Sequence, residues 1–304
     1  MRTPAPLDPR IARRAFLTRE ALALGVGPGR LRRSDLASPF RGIRIPAGID
    51  LTFVERCAVI KRVLNRGDVF SHGTAARLIG IPVPVGMLHD RLLHVSVPPP
   101  NRASKARGII GHQLRLTESE KDVVGGLPVT SPERTWCDLA SAMSVRELVA
   151  AGDFLIARKR PIATRARLAA AARSRRGRPG APRLLEALSL LSERAESPPE
   201  SLLRVMLIEA GLPNLDVNVD LRDTHGRFVA RPDLRFPDYR LIVEYEGDGH
   251  RTERKQWRTD ITRTARLQVL GEEVLRVAAD DLADERRLVD VVSTLLTRRG
   301  WSAT

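Results

Sequence analysis

Aromatic residues make up 4% of the 304-residue chain. Its cores must therefore be packed from aliphatic side chains and alanine rather than large rings. Two cysteines, Cys57 and Cys137, lie far apart without a CxxC pair. That excludes a disulfide framework or a cysteine zinc site and suits buried thiols in a reducing compartment. No apolar run reaches the roughly 18 residues of a membrane span, so no membrane association is expected. The N-terminus lacks the hydrophobic core of a signal peptide, which makes the cytoplasm the expected location. No small-molecule cofactor motif is evident. Acid is absent from one long stretch: between Arg158 and Arg183 ten cations follow one another with no Asp or Glu.

At 42% hydrophobic residues the chain can build sizeable cores, and its length suggests more than one domain. A net charge of +15 and a pI near 11.1 point to a polyanionic partner, most naturally DNA, with an arginine-rich compositional bias as the alternative. The expected class is a multidomain α+β and α/β protein. Four segments are read along it: 1–50, 51–157, 158–194 and 195–304.

In the first segment, Leu17–Gly25 reads as a helix with Thr18 as cap. Gly27-Pro28-Gly29 then precedes a short basic helix, Arg30-Leu31-Arg32-Arg33. A strand alternating basic and apolar residues follows over Pro39–Pro46. Together these resemble the winged helix-turn-helix at the front of AbiEi-type antitoxins and transcriptional regulators. That resemblance implies DNA contacts by Arg30, Arg32, Arg33, Arg41 and Arg44, and a cognate toxin as partner. A basic solvated domain used for protein contacts is the other reading.

Residues 51–157 resemble the α+β middle of the same proteins, through Ser71-His72 and the helix from Arg134 to Ala140. Helices are expected at Phe53–Leu64, Ser71–Gly80 and from Ser131, and a strand at Leu92–Val97. His72, His94 and His112 are scattered, and each reads as structural or surface. The arginine-rich segment, 158–194, reads as a linker. Arg175, Arg176 and Arg178 either track phosphates without sequence preference or form a solvated hinge.

Carboxylates organise the last segment. Leu241-Ile242-Val243 suits a buried strand, yet Glu244 and Glu246 follow on one face of it. Pro232-Asp233 sits on the preceding strand across the turn Phe236–Tyr239, so Asp233 can lie beside them. Three converging carboxylates repel unless a cation joins them, and oxygen donors favour Mg2+ or Mn2+.

This ordered set, continuing through Gly247-Asp248-Gly249-His250 to Asp260 and Arg263, resembles the PD-(D/E)xK nuclease superfamily, closest to the DUF559 branch and its Vsr-like relatives. The resemblance covers about residues 195–300. It implies a restriction-endonuclease-like mixed sheet flanked by helices, and Mg2+-dependent hydrolysis of DNA phosphodiesters. Asp233, Glu244 and Glu246 are the implied ligands, and His250 is the base or a turn residue, with Lys255 a weaker substitute. The lysine usual in that family is here Glu246. Glu200 has two readings: a capping-box glutamate bonding back to Ser197, or the first-helix glutamate that faces the active site in such nucleases. Arg263 is either the partner of Asp260 on a helix or a phosphate contact. A non-catalytic DNA-binding regulator of antitoxin type is the alternative function. Strands are expected near 215–222, 227–235, 240–246 and 274–277, with helices at 253–270 and 281–299.

Overall fold

The computed structural model describes residues 4–247 and 263–302. The chain is a mixed α+β protein that divides into two compact units, Met1–Leu139 and Ala140–Thr304. The two units meet at Leu139, whereas the sequence reads as four segments ending at 50, 157, 194 and 304. None of its helices among the described residues is long and apolar enough to cross a membrane.

The first unit opens with α1 (Pro9–Ala12), β1 (Phe16–Leu17), α2 (Thr18–Ala23), β2 (Leu36–Ala37) and β3 (Ile43–Pro46). The central β3 pairs antiparallel with both β1 and β2. Its alternation buries Ile43 and Ile45. Thr18 begins α2 rather than capping it: Leu17 is the capping residue, and Glu20 accepts its N–H at 3.1 Å. Arg30–Arg32 makes only one 3-10 turn, so the expected second helix is not there. Gly27-Pro28-Gly29 and the extended Arg33 leave too few consecutive helical residues for α-helical bonds.

Next come α3 (Phe53–Lys61), β4 (Val69–Phe70), α4 (His72–Ile79), α5 (Val85–Leu88), β5 (Leu93–Val97), β6 (Ile109–Gln113), β7 (Lys121–Val124), β8 (Leu127–Thr130) and α6 (Pro132–Leu139). The five strands form one mixed sheet in the order β6-β5-β4-β8-β7. Phe70, Leu93, Val95 and Val129 pack on Ile43, Cys57 and Ile60, and Trp136 is fully buried. Both cysteines are buried and unlinked, and burial pushes the Cys57 thiol up to about 12. A Cβ on Gly111 in β6 would stand 2.3 Å from the Ser104 carbonyl oxygen and 2.4 Å from its nitrogen. Because both are backbone atoms, Gly111→Ala should destabilise this unit by about 1–3 kcal/mol in urea titration.

The second unit contains α7 (Val145–Ile156), α8 (Arg165–Ser174), α9 (Ala181–Leu190) and α10 (Pro198–Glu209), then β9 (Asp216–Val217), β10 (Leu221–Arg222), β11 (Phe228–Ala230), β12 (Leu234–Phe236) and β13 (Leu241–Tyr245). It ends with α11 (263–269), β14 (Glu273–Val277), α12 (Ala279–Ala283) and α13 (Glu285–Arg298). The segment 158–194 is thus not a linker. Leu168 and Ala172 on α8, and Leu184 and Ala187 on α9, are buried at helical spacing behind the arginines. The α9 helix packs on both α7 and α8.

The sheet order is β14-β13-β12-β9, with β13 and β14 parallel and the other pairs antiparallel. The two long strands expected at 215–222 and 227–235 are broken into short pieces, with Asp223–Gly226 turning β10 into β11. Leu234, Phe236, Leu241 and Val243 pack on Leu203, Leu207, Leu288, Val292 and Leu296. On the opposite side Ile242 packs with Ala230 and with Leu267 of α11. Strand β13 is thus buried on both sides until Glu244 interrupts its hydrophobic run.

Candidate functional site

The acids expected to form the site hang on the β12–β13 register. Leu234 pairs with Val243 and Arg235 with Ile242, so the next step places Asp233 opposite Glu244 on the Ile242 side of the sheet. Asp233 Oδ2 accepts the Tyr245 N–H at 2.9 Å, which fixes its carboxyl against the end of β13. Burial, followed by the negative charges of Glu200 and Glu244, pushes Asp233 up to about 7. Burial also raises Glu244, opposed chiefly by Arg263, whose guanidinium it contacts directly. Burial thus raises both carboxylates, and the positive charge of Arg263 offsets this mainly at Glu244.

Glu200 takes part in the cap of α10, though it bonds the Ser197 hydroxyl and the Glu196 N–H rather than the Ser197 N–H. Its Oε1 accepts from Ser197 Oγ at 2.8 Å and its N–H meets that hydroxyl. It also acts electrostatically on Asp233. Its Oε2 accepts the Glu196 N–H at 3.0 Å and Asn218 Nδ2 at 2.9 Å. Asn218 is held at φ 46°, and its own N–H donates to the Asp233 carbonyl at 3.0 Å. It thereby ties the start of α10 to Asp233. Sequence reasoning missed Asn218; its one signal is the tolerance of asparagine for left-handed backbone.

Glu246 does not join this group. It is exposed beyond the end of β13 and pairs with Arg276 at 2.7 Å. The three proposed ligands, Asp233, Glu244 and Glu246, therefore do not converge as expected: outside the hydrophobic cover of β13, water and Arg276 compete for the last acid. His250, Lys255, Asp248 and Asp260 lie outside the described residues. Arg263 is placed by α11, where it meets Glu244.

The basic residues divide. Arg30 makes a two-pronged ion pair with Asp35, at 2.9 and 2.7 Å, and donates to the Ala5 carbonyl. Arg44 donates to the Leu31 carbonyl and to Ser38 Oγ. Both thus hold the small sheet through intramolecular partners. Arg32, Arg33 and Arg41 stay exposed. Arg176 and Arg178 are exposed between α8 and α9, and Arg175 is half-buried.

A second constellation stands in the first unit. His94 on β5 and His112 on β6 face each other with Nδ1 and Nε2 3.0 Å apart, and the His72 ring lies 3.8 Å from that of His112. Among the described residues this is the one trio of metal-binding side chains whose donor atoms all lie within 4.8 Å. The reading of these histidines as scattered is corrected. Parallel pairing sets Ser96 beside His112, which aligns His94, Ser96 and His112 on one side of the sheet. Burial pushes His112 down to about 4 with His94 adding to it, and burial likewise lowers His94. Ser71 does not cap α4; its hydroxyl meets His72 Nδ1 at 3.0 Å and accepts from Ser96 Oγ at 2.6 Å. The overlooked signal was polar residues alternating with buried hydrophobes in Leu93-His94-Val95-Ser96-Val97.

No family model matches this chain. It is 28% identical over 220 residues to two curated Mycobacterium tuberculosis proteins, uncharacterized protein MT2308 of strain CDC 1551 / Oshkosh and uncharacterized protein Rv2248 of strain H37Rv. The match spans 72% of this chain and 79% of each relative. Among solved structures it is similar to the RV2827C protein of Mycobacterium tuberculosis, at 18% identity and a TM-score of 0.39, over 70% of this chain and 85% of that one.

Proposed function

We propose that the second unit is a cation-dependent DNA endonuclease with a restriction-endonuclease-like core, and that the first unit supplies DNA-binding or regulatory contacts. The observation that carries this reading is the register that sets Asp233 against Glu244 with Glu200 behind them. A pure structural strand end has no use for a buried aspartate whose proton affinity two neighbouring acids raise further.

Asp233 and Glu244 are the residues that would hold Mg2+ or Mn2+. Two hard carboxylates fit a cation that takes one or two protein carboxylates and completes its shell with water and substrate phosphate. When bound, the ion supplies charge stabilisation for the leaving oxygen and acidifies water. Asp233 must lose its proton to hold the ion, so the apparent affinity for Mg2+ should rise as pH passes upward through about 7. The Tyr245 N–H keeps its carboxylate oriented. Arg263, which pairs with Glu244, is in this reading the residue that would exchange that partner for a substrate phosphate. Asn218 and the α10 cap hold Glu200 behind the pair rather than free to react.

Nicking of supercoiled plasmid and cleavage of single-stranded DNA with Mg2+ or Mn2+ tests this. Glu244→Ala should lower the rate by roughly 10³-fold, the equivalent of several kcal/mol of lost charge stabilisation. Cleavage that survives both Asp233→Ala and Glu244→Ala would overturn it.

A second reading, a non-catalytic DNA-binding regulator of antitoxin type with a winged-helix front, draws on Glu246. That residue stands where the resembled nucleases carry lysine, and it is occupied by Arg276. A cognate toxin belongs to this reading alone. It is favoured if DNA binds without metal and is never nicked.

A further inference from the structure

We propose that His72, His94 and His112 form a zinc-binding site in the first unit, joining α4 to strands β5 and β6, with water as fourth ligand. The site is independent of the carboxylate pair in the second unit. Three imidazoles from three separate elements bring their donor atoms within 4.8 Å of one another. Tetrahedral zinc with Zn–N near 2.0–2.1 Å places ligand nitrogens about 3.3 Å apart. The His94 Nδ1 to His112 Nε2 distance of 3.0 Å is already close to that. All three side chains keep partial exposure, which leaves the fourth position open to solvent.

The surroundings are those of a ligand set rather than of three incidental rings. His72 is held at φ 50°, and its ring lies beside those of His94 and His112; the His72 and His112 rings, stacked with centroids 3.8 Å apart, turn about their side-chain bonds for their in-plane lone pairs to meet on one ion. Backbone strain of this kind is retained where a side chain must be delivered to one place. Ser71 Oγ, itself accepting from the buried Ser96, lies 3.0 Å from His72 Nδ1 and so holds the His72 ring through that nitrogen, leaving Nε2 as the ligand atom of this proposal. His94 is anchored along its backbone: its N–H donates to Thr74 Oγ1 at 2.7 Å and its carbonyl accepts the Ser71 N–H at 3.1 Å. Thus the residues framing one ligand also frame the next.

The test loads the full-length protein with Zn2+, desalts it, and measures zinc by elemental analysis. Co2+ substitution provides a visible spectrum sensitive to coordination. Wild type should retain about one zinc per chain and give the intense d–d bands of a tetrahedral site. His94→Ala and the milder His112→Gln should each weaken binding at least about tenfold, while circular dichroism stays unchanged. Asp233→Ala should leave zinc retention intact, which separates this site from the proposed nuclease centre. Retention that is absent in wild type, undiminished in folded histidine variants, or lost in Asp233→Ala overturns the assignment.

Discussion

Asp233→Asn should abolish metal-dependent cleavage and, at alkaline pH, make the second unit more stable. In the folded protein Asp233 is raised from an ordinary 3.8 to about 7. Between those values the native state holds a proton that the unfolded chain has released. Stability therefore falls as pH rises through this window, and the loss is complete above about 7. Asparagine is neutral throughout and its amide oxygen can still accept the Tyr245 N–H, so the penalty disappears with little change in shape. The shift corresponds to about 4 kcal/mol at 1.36 kcal/mol per pH unit; partial hydration and local relaxation bring the expected gain to roughly 2 kcal/mol at pH 8. Below about pH 4 wild type and variant should be nearly equal in urea denaturation, since there Asp233 is protonated in both the folded and the unfolded chain. Saturating Mg2+ at pH 8 should recover much of the difference in wild type and none in the variant. A variant less stable than wild type at pH 8 would contradict this account of the carboxylate pair. The same substitution should reduce nicking by about 10³-fold, since the lost ligand supplied charge stabilisation worth several kcal/mol.

The largest structural effect should come from Asp153→Ala. Its side chain on α7 is 1% exposed, and three groups converge on it. Oδ1 accepts the Ser192 N–H at 2.6 Å, while Oδ2 accepts Ser201 Oγ and Arg204 Nη2, each at 2.8 Å. These contacts join α7 to α10 and to the chain leaving α9, the frame on which the Glu200 cap is built. Removing the acid strands the buried Arg204 cation, and breaking such a pair costs about 3–5 kcal/mol. The paired replacement Asp153→Leu with Arg204→Met should restore most of that loss, because the cost lies in the unmatched charge. Hydrogen exchange measured on α7 and α10 peptides, together with urea titration, distinguishes the outcomes. A single variant within about 0.5 kcal/mol of wild type would show that water or another group replaces the carboxylate.

Local chemistry was readable where one strong signal dominated. The hydrophobic run Leu241–Val243 and the parallel strand Glu273–Val277 lie within a residue or two of expectation. The capping motif before α10 is formed, and the Asp223–Gly226 turn lies between β10 and β11. Elsewhere several weak signals competed. Arginines concealed the short buried stripes of α8 and α9, so a helical layer read as linker. Arg30 and Arg44 read as nucleic-acid contacts because spacing says nothing of which carbonyl or carboxylate captures a guanidinium.

In the carboxylate site, strand alternation put Glu244 and Glu246 on one side but could not foresee that β13 ends at Tyr245. Past that point Glu246 turns to Arg276 in water. The histidines were illegible for a different reason: they lie on three elements, 18 residues separate His94 from His112, and those two meet through the parallel β5–β6 pairing.

Titration with Mn2+ at pH 8, followed by the paramagnetic resonance of the free ion, tests the central claim most directly. Wild type should bind one ion that folded Asp233→Asn and Glu244→Gln both lose, while Glu246→Gln keeps it. Equal uptake by wild type and the first two variants would contradict the assignment of the carboxylate pair as a cation site.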